Sequence, residues 1–175
     1  MKYQDCDQAV QAADEAQDGP PGGNPLLAGA NINPATGLAT DYLNHFNEAI
    51  MLLEMLSSCP ECLDDFLRWQ PMSYREHFAA SRFRGRDLAI TAYDDADSNL
   101  RSCLDTLAGT MTAVLEATRA ALRSGLPPEA AGALADHAAV WLRPLVGRAG
   151  AVINGNADAS LPDAPQAVVD GLMKR

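Results

Sequence analysis

Between Arg86 and Arg123 the residues Tyr93, Leu100, Leu104, Leu107, Met111, Val114 and Leu122 recur at three- and four-residue steps or sums of them. Such spacing lays side chains in one stripe along a helix. At about 1.5 Å per residue, one unbroken helix over this stretch would reach on the order of 55 Å. It would serve as a spine against which shorter helices pack. Ser124-Gly125, with Pro127 and Pro128 beyond, supplies a stop signal at its far end. At its near end, Gly85 either breaks the preceding helix or kinks it into the spine.

Composition agrees with a helical reading. Hydrophobic residues make up 47% of the 175 and aromatics only 6%. Runs of Val, Ile, Thr and Tyr are nearly absent, while Ala, Leu, Arg, Asp and Glu abound, as in helices. The expected fold class is all-α: a helical bundle around one long helix (about 86–124), with a disordered acidic N-terminal arm. Residues 1–32 form the arm, 33–155 the helical bundle domain, and 156–175 a C-terminal tail. In the arm Asp5, Asp7, Asp14, Glu15 and Asp18 outweigh Lys2, and the run from Gly19 to Pro25 opposes regular structure. In the tail Val168, Val169 and Leu172 are spaced for a short amphipathic helix.

The formal net charge of −10 repels a phosphate backbone, so no nucleic-acid partner is expected. No stretch approaches the roughly 18 consecutive apolar residues of a membrane span. The acidic opening residues lack an apolar signal core, which favours a cytoplasmic protein whose four cysteines are free thiols.

Within the bundle, Thr36 or Thr40 is placed to cap a first helix carrying Leu43, Phe46, Ile50 and Leu53 on one face. Cys59-Pro60-Glu61-Cys62 opens a short second helix, with Cys59 at the cap and Pro60 at the first helical position. Ser73-Tyr74-Arg75-Glu76 has the form of a capping box and starts a third. A long segment from Pro128 places Ala130, Leu134, His137, Ala138, Trp141 and Leu145 on one face, and Pro144 is expected to kink or break it.

Three groups of residues could carry chemistry. The first is His45 with Glu48 and His77, joined by Asp41 and Glu76, and with His137 as a further imidazole. Imidazole and carboxylate suit zinc, iron or manganese, but the Glu-x-x-His spacing of di-iron bundles is missing. No cofactor is therefore favoured over histidines that simply bond to neighbouring carbonyls. The second is the Cys59/Cys62 pair, which has redox spacing. A thiol at a helix cap would have a lowered pKa, although Glu61, Asp64 and Asp65 oppose thiolate formation and no strand leads into the helix.

The third group is the clearest local departure from an acidic chain. Arg68, Arg75, Arg82, Arg84 and Arg86 place five of thirteen basic residues within nineteen positions. Guanidinium forks beside Phe83 suit a phosphate, a carboxylate-rich partner segment or the chain's own acidic arm. The competing expectation is internal pairing with Asp64, Asp65, Asp94 or Asp95. With no nucleophile elbow, phosphate-binding glycine loop or dinucleotide fingerprint, the reading leans away from an enzyme. It points to an adaptor or regulatory protein that binds a protein partner through Arg82, Phe83, Arg84 and Arg86, and it is compatible with a homo-oligomer.

Overall fold

The structure, a computed structural model, describes residues 25–156. Every regular element among them is helical: α1 (Pro25–Gly29), a 3-10 turn (Thr40–Tyr42), α2 (Leu43–Met55), α3 (Cys62–Arg68), α4 (Tyr74–Ala80), α5 (Arg86–Asp95), α6 (Ser98–Arg123) and α7 (Pro128–Asn154). The all-α expectation holds. The reading of residues 1–24 as an acidic arm, and that of a short helix near 168–172, fall outside the described residues. Residues 25–32 belong to the fold, because Ile32 is fully buried and Leu27 packs on the core.

Two long helices dominate, not one. The expected spine is interrupted at Ala96-Asp97 and runs as α6, 26 residues from Ser98. The Asp97 carboxylate accepts from the backbone N–H groups of Asn99 (2.8 Å) and Leu100 (3.1 Å). Those are orphan donors of a helix start, and an Asp that captures them begins a new helix instead of continuing the old one. Across the break the Tyr93 hydroxyl on α5 donates to both Asp105 oxygens on α6 at 2.8 Å. From Leu100 onward the apolar stripe is as expected except that Val114 is half-buried and Leu115, not expected, is buried beside it. Leu100, Leu104, Leu107, Met111, Leu115 and Leu122 are buried.

α7 runs through Pro144 without a break. Pro144 and Val140, whose carbonyl loses its helical donor, both face solvent, so water can satisfy that oxygen. The buried face of α7 is also rotated from the expected one. It consists of Gly132, Ala135, Ala138, Ala139, Leu142, Arg148, Ala149, Val152 and Ile153, while Trp141 is 68% exposed and His137 lies outside. Small side chains let α2 and α6 approach α7 closely, and an indole would hold them apart. A Cβ built at Gly132 would already meet Ser57 Oγ at 3.4 Å.

The short helices bury Phe66, Tyr74, Phe78 and Ala89 in the core and are fastened by polar contacts as well. Ser73 and Glu76 form the expected capping box on α4, with the Ser73 N–H donating to Glu76 Oε2 at 2.8 Å. These bonds hold the Glu76 carboxyl below its ordinary pKa. Thr36 caps no helix start; its hydroxyl donates to the Ile153 carbonyl at the end of α7 (2.6 Å). Neither the 3-10 turn nor α2 has a side-chain cap. Gly37, at φ +72°, lies so close to α5 that a Cβ would sit 2.8 Å from the Ala92 carbonyl oxygen, a position only glycine suits.

Candidate functional site

The arginine loop joins α4 to α5, and its backbone is fixed from within. The Ser81 hydroxyl donates to the Phe78 carbonyl (3.0 Å) and accepts from the Phe83 N–H (3.3 Å). The Arg86 N–H closes a turn onto the Phe83 carbonyl at 3.2 Å. Phe83 is half-buried, its ring 5.6 Å from that of Phe78, and Gly85 is wedged so that a Cβ would meet Ala30 and the Phe83 ring at 2.9 Å. Phe83 therefore serves as the anchor of the loop, partly buried and packed against the core.

The five arginines divide. Arg68 pairs with Asp65 and Arg75 with Asp94, and the Arg75 guanidinium also lies 5.9 Å from the Tyr93 ring centre. Internal pairing thus accounts for the first two. Arg82, Arg84 and Arg86 are exposed. Among the described residues only Arg86 of these three forms an ion pair, a 3.5 Å contact with its neighbour Asp87.

Two further arginines, unremarked in the sequence, have a structural task. From α6, Arg119 donates to the Trp69 carbonyl (2.6 Å) and Arg123 to the Leu67 carbonyl (3.3 Å). They satisfy the carbonyls left open where α3 ends, where positive charge is also favoured by the helix dipole. The Trp69 and Leu67 oxygens gave no periodic signal by which this could have been found.

The histidines do not form a ligand set. His45 is buried: its Nε2 accepts from the Met72 N–H (3.2 Å), its ring stacks on Trp69 (4.6 Å between centres), and its carbonyl accepts from the Trp69 indole (3.1 Å). Burial first, then the nearby His77, lowers its pKa to about 4. His77 lies 6.0 Å from His45, ring to ring, and burial lowers its pKa too, with Asp41 opposing. Glu48 and His137 are exposed. No three His, Cys, Asp or Glu side chains gather as metal ligands among the described residues.

Cys59 and Cys62 are free, and their sulfurs lie 2.8 Å apart. Cys59 does not cap α3, which begins at Cys62 after a turn closed by the Cys62 N–H on the Cys59 carbonyl. The expected lowered pKa is corrected accordingly. The hydrogen bond with Cys62, then burial and Glu61, push the Cys59 thiol up to about 11. Cys103 is disulfide-bonded, so the expectation of four free thiols does not hold.

Where α5 turns into α6, a shallow cleft of about 420 Å³ is lined by Tyr93, Ser98, Arg101, Ser102, Asp105 and Thr106. Burial and the Asp105 bond push Tyr93 up to about 12. Arg101 holds its guanidinium 5.8 Å from the Tyr93 ring. An unbroken spine would not have produced this cleft, which is why it was not legible beforehand. Set beside protein families, curated proteins and solved structures, the chain matches none of them.

Proposed function

We propose that this chain binds a protein partner, in an adaptor or regulatory role, through the α4–α5 loop, and that the partner presents a carboxylate-rich segment. One observation carries the reading. In a chain of net charge −10, Arg82 and Arg84 are exposed and meet no acidic partner among the described residues, although two neighbouring arginines do. Guanidinium groups accept carboxylates in bidentate fashion, and a loop already fixed by Ser81, Phe83 and Gly85 loses little freedom on binding. Phe83 supports the loop instead of contacting the partner.

A polyglutamate peptide titrated by fluorescence anisotropy tests this. Binding should weaken steeply from low to physiological salt and be lost in Arg82→Glu/Arg84→Glu. Equal binding by that variant would overturn the reading.

A second copy of the chain is the other partner with support, since Val140 and Trp141 stand adjacent on α7, each 68% exposed. A mass in sedimentation that falls to the monomer in Trp141→Ala would identify that contact. As to compartment, free thiols at Cys59 and Cys62 suit the reducing cytoplasm, whereas the disulfide at Cys103 suits an oxidising setting. Among the described residues no helix is long and apolar enough to cross a membrane.

A further inference from the structure

We infer that Cys59 and Cys62 form a dithiol site that exchanges with small-molecule disulfides and closes into an intrachain disulfide at the α2–α3 corner. The sulfurs are 2.8 Å apart as free thiols, against about 2.05 Å for a bonded pair, so closure needs a shift of under about 1 Å. The backbone already holds that geometry. The Cys59 N–H is bonded to the Met55 carbonyl at 2.8 Å, which ties it to the end of α2, and the Cys62 N–H to the Cys59 carbonyl at 3.0 Å. Cys59 is half-buried and Cys62 buried, so an incoming disulfide meets Cys59 first.

The exchange is balanced as follows. Cys59 loses its proton, and its sulfur attacks one sulfur of the small disulfide, forming a mixed disulfide and releasing one thiolate, which is protonated. Cys62 loses its proton, attacks Cys59 Sγ, and expels the second small thiol. Two protein thiols become one disulfide, and one small disulfide becomes two thiols. Glu61 lies against Cys59, and Asp64 and Asp65 follow Cys62 in the chain; their negative charge favours an uncharged disulfide over an anionic one.

The full chain, treated with hydroxyethyl disulfide at pH 9, where the raised Cys59 thiol supplies enough thiolate to react, and mapped by peptide mass, tests this. The expected product is a 59–62 segment lighter by two hydrogens, with no retained mercaptoethanol adduct. Cys62→Ser should keep the adduct on Cys59, because the resolving sulfur is gone. The ratio of closed to mixed disulfide should be at least tenfold higher in folded protein than in urea. An adduct that persists on Cys59 of the unsubstituted protein, two thiols left unreacted, or equal ratios in the two states would each overturn the inference. If Cys62→Ser fails to fold, the unsubstituted protein's map and its urea comparison decide.

Discussion

The long-helix side and the short-helix side of this bundle are held in different ways. α7 packs on both α6 and α2 along continuous apolar stripes, so burial of Leu, Met, Val and Ala side chains dominates there. α3, α4 and α5 have 7, 7 and 10 residues, too few to be stable by themselves. They are fixed by a capping box, arginines on open carbonyls, a buried histidine and a cluster of rings in which Tyr74 stacks on Tyr93 at 4.5 Å. The lesson is that on the short-helix side some arginines serve as fastenings of the fold while others stay on the surface. Arg119 and Arg75 are committed; Arg82 and Arg84 are exposed and form no ion pair among the described residues.

The largest effect should come from the apolar side. Leu107→Asp places a carboxylate in a fully buried site with no partner, which should destabilise by several kcal/mol, about 4 or more, and leave little folded protein by circular dichroism. A native melt would mean that the stripe is not what holds α6.

Next comes a pH effect confined to the polar side. His45 has a folded pKa near 4 against 6.5 in the unfolded chain, so the unfolded state binds the extra proton. Its contribution is fully present above about pH 6.5, is lost as pH falls from there to 4, and amounts to about 3 kcal/mol in all. Urea melts should show this fall in the protein and not in His45→Gln, which keeps a polar side chain but cannot titrate; the same fall in both would show that His45 is not the source.

A smaller effect is kinetic. With its thiol pushed up to about 11, Cys59 should alkylate slowly at pH 7 and roughly tenfold faster per pH unit up to pH 10. Fast, pH-independent labelling would show that the hydrogen bond with Cys62 does not form in solution.

How far the sequence disclosed this follows the same division. The Leu100–Leu122 stripe, the Ser73/Glu76 box and the exposed arginines were legible because each rests on local spacing. The break at Asp97 had a signal in Asp97-Ser98-Asn99, but apolar periodicity on both sides masked it. The face of α7 was misplaced because periodicity cannot tell that small residues, and not Trp141, are needed where two helices approach closely. Arg119 on Trp69 and the Tyr93–Asp105 tie depend on tertiary placement. No pattern along the chain encodes either contact.

The central claim, that Arg82 and Arg84 take no part in holding the described fold while other arginines do, is tested most directly by two variants of equal charge. Arg82→Glu/Arg84→Glu and Arg119→Glu/Arg123→Glu each add the same negative charge, so any bulk electrostatic effect cancels between them. For the loop variant we expect a melting temperature nearly unchanged, since exposed unpaired charges typically contribute under about 1 kcal/mol, together with loss of polyglutamate binding. For the α6 variant, in which Arg119 has a side chain only 13% exposed, we expect a melt several degrees lower and binding retained by the folded fraction. Stability lost in the loop variant, or peptide binding lost equally in both, would contradict the account.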